Sequence, residues 1–164
     1  MTKRYGVVIF AGLCLGLFVK LFCIDMLTVS GSSMIPTLTD GENVVVNKLA
    51  YGLVKPFGNS FFIQWSEPKS GHLVVFLHDN KMVVKRCAAI SGERLDFSSD
   101  NDYNLILGGK RIHLSVEQYE KMSQFSEVPD GYCLVLGDNS LQSVDSRDYG
   151  FVSKKNITGK IIGK

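Results

Sequence analysis

Three polar residues carry chemistry that their neighbours sharpen. Ser33 sits in Ser30-Gly31-Ser32-Ser33-Met34-Ile35-Pro36-Thr37-Leu38. A serine hydroxyl needs a base to act as a nucleophile near neutral pH. The three histidines, His72, His78 and His113, stand in no triad context and form no HExxH or similar metal pattern. A lysine serves instead if its amine is neutral, and apolar burial lowers a lysine pKa by several units from about 10.4. Lys85 has such a setting in Met82-Val83-Val84-Lys85-Arg86-Cys87-Ala88-Ala89-Ile90. On a strand, alternation puts Lys85 on one face with Val83, Cys87 and Ala89, and Arg86 on the other. A lysine on an apolar face is costly unless neutral or paired. The plain alternatives are a Ser-Gly-Ser turn and an edge-strand lysine facing water.

The flanks of Ser33 add detail. Gly31 permits a tight bend and close approach of a substrate backbone. Met34 places an apolar side chain beside the hydroxyl, and Pro36 stiffens the chain beyond it. A third stretch runs from Gly137 to Val152. In it Ser143 is placed to hydrogen-bond a neutral lysine amine and orient it. Asp145 and Arg147 read as a charge-assisted structural pair.

Strands must hold these residues. Val44–Val46, Leu73–Leu77, Met82–Val84 and Tyr132–Leu136 are short, rich in β-branched residues and bounded by Gly, Asp, Asn or Pro. His78-Asp79-Asn80-Lys81 predicts a tight hairpin between two of them. Leu105–Ile112, around Gly108-Gly109, predicts another. Ser115 and Gln118 fit a capping box opening a short helix to about Met122. The expectation is a mainly antiparallel β domain over residues 28–164, with 96–129 as an insertion or subdomain.

Residues 1–27 read differently. Lys3 and Arg4 precede an apolar run from Gly6 to Ile24 whose one charge is Lys20. The run is long enough to cross a bilayer if Lys20 snorkels. The positive-inside rule then puts the N-terminus in the cytoplasm and the rest of the chain outside. Phe22-Cys23-Ile24-Asp25-Met26-Leu27 is a poor cleavage site for a removed leader, so an uncleaved single-pass anchor is expected. Phe57–Trp65 is unusually aromatic; it reads either as strand core or as a patch resting in the bilayer interface.

Composition bounds the rest. A chain of 164 residues, 45% hydrophobic, holds one domain plus an anchor. A net charge of +2 without basic clusters argues against a nucleic-acid partner. Four cysteines, Cys14, Cys23, Cys87 and Cys133, make no CxxC pair. Cys87 and Cys133 read as small buried hydrophobes in strands, with a disulfide as the alternative. No metal or other cofactor is expected.

Taken in order, three stretches resemble those of bacterial type I signal peptidases, also called leader peptidases. They are Gly31-Ser-Ser33-Met34-Ile-Pro36-Thr37-Leu38, Val84-Lys85-Arg86 through Ser91-Gly92-Glu93, and Gly137-Asp-Asn139 through Ser143-Val-Asp145-Ser146-Arg147 to Gly150-Phe151-Val152. Asn47–Gly52 and Gly71–Phe76 agree more weakly. The resemblance implies a signal-peptidase/LexA-like β fold with one N-terminal transmembrane helix. It implies a serine endopeptidase of the bacterial cytoplasmic membrane, its catalytic domain on the outer face. The partners implied are membrane lipid and preproteins cut after small residues at −3 and −1. Ser33 falls on the nucleophile, Lys85 on the base and Ser143 on the serine supporting the lysine. The Ser33 N–H falls in the oxyanion hole. Gly31 occupies the position where many members place a second oxyanion donor on a serine side chain. Val29 and Val84 flank the active-site stretches as candidate pocket liners. Departures are Ser91-Gly92-Glu93 for Pro-Gly-Asp, Ser140 for a common arginine and His72 for a usual aspartate. They leave open a pilin-type or conjugation-type processing peptidase of the same family. The reading from another class is a non-catalytic, membrane-anchored peptide-binding β-domain.

Overall fold

The computed structural model describes residues 2–55, 61–100 and 102–164. The apolar run forms helix α1, Thr2–Phe18, continued by one π-helical turn, Val19–Cys23. Tyr5–Cys23 has a mean hydropathy of 2.4 and buries none of its residues against the domain. By length and composition it is able to cross a membrane. Strand β1, Ile24–Thr28, follows at once and pairs antiparallel with β2, Asn43–Asn47. The chain is thus in the sheet from Ile24 onward, inside the stretch that hydropathy alone reads as anchor.

Five more strands complete the main sheet: β5, Leu73–His78; β6, Lys81–Ile90; β10, Tyr132–Leu136; β11, Val152–Ser153; and β12, Ile157–Gly163. Its order is β1-β2-β12-β5-β6-β10-β11, antiparallel at every pairing. The β5–β6 hairpin turns on Asp79 and Asn80 at φ +48° and +59°. Two successive positive φ angles are what a two-residue hairpin matched to strand twist requires, and Asp and Asn tolerate them. A β-bulge in the β6–β10 ladder shifts register between Ala89 and Cys87.

Two small sheets pack on this frame. One pairs β3, Gly52–Val54, with β4, Phe61–Gln64. Gly52 is obligatory there, since a Cβ would lie 2.4 Å from the Ile63 carbonyl oxygen. Phe61 packs partly on the core, but Phe62, Ile63 and Trp65 are 59%, 64% and 56% exposed. That corrects the strand-core alternative for those three residues; Phe57 to Ser60 lie outside the described residues. The other sheet orders β7, Asp96–Ser98, β8, Asn104–Leu107, and β9, Lys110–His113, followed by helix α2, Val116–Met122. Ser115 and Gln118 form the reciprocal capping box. Leu105, Leu114 and Met122 from this unit pack with Ala89 and Leu134 of the main sheet. The opposite face of the frame buries Val74, Phe76, Cys87, Cys133 and Val135. Cys87 and Cys133 are both free thiols in that core. The short helix α3, Ser146–Tyr149, closes the loop after β10.

Removing the Ser115 hydroxyl tests how much α2 depends on its cap. Ser115→Ala is expected to cost about 1 kcal/mol, measured by chemical denaturation. A change below about 0.2 kcal/mol would mean that packing alone holds α2.

Candidate active site

The Ser33 loop leaves β1 and returns to β2. Its neck is closed by Val29 N–H to the Glu42 carbonyl at 2.8 Å and Gly41 N–H to the Val29 carbonyl at 2.9 Å. Val29, Met34 and Leu38 plunge into an apolar cluster with Val44, Val46, Val75 and Ile161. Burial of these side chains, about 1.5–3 kcal/mol each, pins the loop and leaves Ser33 half-buried above it. Gly31 has φ +89°, a left-handed angle suited to glycine, and its N–H donates to Asp40 at 2.7 Å. The Ile35–Pro36 bond is cis.

Lys85 lies on β6 opposite Val74 of β5 and is 3% exposed. β6 pairs with β10 only from Arg86 onward, so Lys85 stands where one edge of its strand falls free. Its Nζ donates to Ser143 Oγ at 2.9 Å, with no carboxylate in salt-bridge range among the described residues. Burial pushes the amine pKa below the ordinary lysine value; Arg147 adds to that shift, while Asp145 and Asp148 oppose it. Arg86 points the other way, as alternation requires, and grips Asp138 through two 2.7 Å bonds. It also reaches the Gly71 carbonyl and Thr37 Oγ1.

Ser143 is delivered by the loop between β10 and α3. Asp145 and Arg147 form a fully buried pair, Nε to Oδ1 and Nη2 to Oδ2 both at 2.9 Å. Burial raises the Asp145 carboxyl pKa, but Arg147, the Gly137 N–H and Ser143 outweigh it and hold the group below the usual range. Asp145 also caps α3 in a reciprocal box with Asp148. The Arg147 guanidinium in turn ties down the Ser140 carbonyl at 2.9 Å. Asn139 joins this loop to the Ser33 loop: its N–H donates to the Ser33 carbonyl at 3.0 Å and its Nδ2 to the Ser32 carbonyl at 3.1 Å. Gly137 sits in the seam. A Cβ there would fall 2.1 Å from Ser143 Oγ and 2.6 Å from the Ser33 carbonyl oxygen.

One cavity of about 640 Å³ runs past these elements, and Val29, Gly31, Ser33, Val84 and Lys85 all line it. Ser143 reaches the site through its bond to Lys85, and Asp145 and Arg147 lie behind it. Sequence reading missed Gln142, His78 and Tyr149, which also line this wall. The Tyr149 ring lies 4.1 Å from His78, and its buried hydroxyl has no hydrogen-bond partner among the described residues. Only the spacing Asp145-Ser-Arg-Asp148 hinted that a helix would carry Tyr149 there. His72, at a position of departure, does not line this cavity; it bonds the Tyr51 hydroxyl at 2.9 Å and contacts Lys160 Nζ at 3.2 Å.

The site thus combines an antiparallel β domain that follows an apolar helix with a desolvated lysine hydrogen-bonded to a serine. The family model for signal peptidase, peptidase S26, matches residues 2–163. Signal peptidase I of Bacillus caldolyticus is 30% identical, covering 93% of this chain and 85% of that one. Signal peptidase IB of Staphylococcus aureus is 31% identical, covering 85% and 76%. A crystal structure of a signal peptidase I from Enterococcus faecalis aligns with a TM-score of 0.43 at 23% identity, covering 59% of this chain and 98% of that one. The chain belongs to the signal peptidase S26 family and is a serine peptidase by class.

Two consequences of this geometry are measurable. Gly137→Ala drives a methyl group into Ser143 and the Ser33 backbone, so it is expected to cost about 1–3 kcal/mol; unchanged stability would show that the seam is loose. Lys85→Met tests the depressed amine. Between that lowered pKa and about 10.4, the unfolded chain binds more protons than the folded one, so wild-type stability rises with pH. The Met variant lacks this slope. Its stability relative to wild type is expected to be highest below the lowered pKa of the folded state and to shrink toward pH 10. A difference that stays constant would mean that Lys85 is charged in the fold.

Proposed function

We propose that this chain is a membrane-anchored serine endopeptidase that removes signal peptides from exported preproteins, with Ser33 as nucleophile and Lys85 as general base. The observation that carries this reading is Lys85 itself: a buried amine with no carboxylate bound to it among the described residues, held by Ser143 beside the cavity that Ser33 lines. Ser143 is one of the groups that hold the Asp145 carboxyl below its usual range. The Ser143 oxygen then accepts a Lys85 N–H, and the amine lone pair is left for the Ser33 proton.

In the reaction Lys85 takes that proton as Ser33 Oγ attacks the scissile carbonyl. The Ser33 N–H, which has no protein acceptor among the described residues, faces the developing oxyanion. Protonated Lys85 then protonates the leaving amine. The acyl-enzyme is hydrolysed by water that Lys85 activates. Val29 and Val84 narrow the cavity toward small side chains. The free edges of β1 and of the first half of β6 offer backbone groups to an extended substrate.

The anchor sets the place of the chemistry. α1 is joined to the Ser33 loop by the π turn and β1 alone, and five strand residues at about 3.4 Å each keep Ser33 near the membrane surface. Lys3 and Arg4 assign the N-terminus to the cytoplasm and the β domain to the outer face. Exposed Phe62, Ile63 and Trp65 then rest in the lipid interface.

A preprotein cleavage assay tests the dyad. Ser33→Ala and Lys85→Ala are each expected to lose activity, by about 10²–10⁴-fold for the base. Lys85→Arg should be equally inactive, because guanidinium holds its proton. Wild-type activity is expected to rise with pH through a pKa well below that of free lysine. Cleavage retained in all the variants would remove Ser33 and Lys85 as the dyad, and no cleavage by the wild type would leave a peptide-binding domain that does not cut. Trp65 is the one tryptophan, so its fluorescence tests the lipid contact in reconstituted vesicles. Quenching by brominated lipid is expected; the emission of a water-exposed, unquenched indole would remove Trp65 from the interface.

A further inference from the structure

A tetrahedral intermediate on Ser33 places a full negative charge on the former carbonyl oxygen, and serine hydrolases meet it with at least two fixed donors. The Ser33 N–H supplies one. The Ser33 loop is short of a second. Gly31 has no side chain, and its N–H is spent on Asp40 at 2.7 Å. The Ser32 hydroxyl is spent on Gln142 Oε1 at 2.6 Å.

Gln142 itself is different. It follows the turn that Asn139 docks onto the backbone of Ser32 and Ser33, and its own N–H bonds the Asn139 carbonyl at 3.1 Å. Asn139 Nδ2 donates to the Ser32 carbonyl at 3.1 Å, which sets the direction of the Asn139 amide. The same Nδ2 points at Gln142 Oε1 at 3.4 Å, so the Gln142 oxygen faces the loop. Its Nε2 then carries two N–H groups with no acceptor among the described residues, on the wall of the cavity that Ser33 lines. A carboxamide clamped through its oxygen, with its donors unspent, is a preorganised dipole.

We propose that the Gln142 carboxamide is the second oxyanion-hole donor for the Ser33 reaction, a role that rests on Ser33 being the nucleophile. Ser32 and Asn139 are then positioning residues, which act by aiming Gln142. The clamp ties Gln142 to the nucleophile's own backbone, which fixes the spacing of donor and nucleophile.

The test uses the full chain in detergent or lipid. Gln142→Ala is expected to lower kcat by about 10²-fold with KM little changed, the signature of an interaction made only in the transition state. A peptide aldehyde, whose adduct with Ser33 is tetrahedral, should bind Gln142→Ala more weakly by a similar factor. Binding of the uncut substrate peptide should be equal in Ser33→Ala and in Ser33→Ala/Gln142→Ala. Ser32→Ala keeps the Nε2 donors and should lose much less than Gln142→Ala. The proposal is overturned if Gln142→Ala keeps kcat within a few-fold. It is overturned equally if aldehyde and uncut peptide weaken together, or if Ser30→Ala, which removes the exposed hydroxyl at the start of the loop, shows the loss instead. Those outcomes leave the dyad standing. A Ser33→Ala variant that still cuts would instead remove the dyad reading beneath it.

Discussion

Everything in this molecule answers to one cost: the amine of Lys85 is buried on a strand face that otherwise carries Val83, Cys87 and the core. A charged ammonium there would need a carboxylate, and what it has is a serine hydroxyl. Desolvation therefore wins over the more distant attraction of Asp145 and Asp148, and the amine is driven toward its neutral form. Water outside would restore the proton. The fold keeps water out by setting Lys85 where the sheet passes from open edge to paired interior, one residue before β10 begins to pair with β6.

The neighbouring charges act as mortar around that amine. Arg86, adjacent in sequence but on the other face, joins Thr37 of the Ser33 loop, Asp138 of the Ser143 loop and the carbonyl of Gly71. Asp145 and Arg147 satisfy each other in the interior and hold Gly137 and Ser140 in place. Buried pairs of this kind are weak evidence of net stability, but removing one partner strands the other at about 3–5 kcal/mol. Their service here is geometric. They bring loops more than 100 residues apart to a seam so tight that only glycine fits at position 137.

Much of the frame was legible from local rules. Asp79-Asn80 and Gly108-Gly109 announce turns that need positive φ, and both pairs have it. Ser115 and Gln118 form the predicted cap, and Tyr132–Leu136 is a strand with the predicted ends. The failures have physical causes. β1 was hidden because the apolar run ends only at Ile24, which is already the first residue of the strand that pairs with β2. β12 was hidden by Gly159, which reads as a break but is there because a Cβ would meet Val46 at 2.6 Å. Composition left Phe62 and Trp65 open between strand core and an exposed patch, and they lie exposed on and just after β4. At the site, Ser33, Lys85 and Ser143 stood out through the ordered stretches they occupy. Gln142, His78 and Tyr149 did not, since their places on the cavity wall depend on contacts that no local pattern encodes.

The most direct measurement is the titration of the Lys85 amine itself, by NMR of lysine labelled at the ε carbon, assigned by comparison with Lys85→Met. A desolvated amine poised to accept the Ser33 proton predicts a midpoint well below the ordinary value of about 10.4. A midpoint at or above that value would mean a charged, hydrated side chain at position 85, and the proposed dyad would have no base.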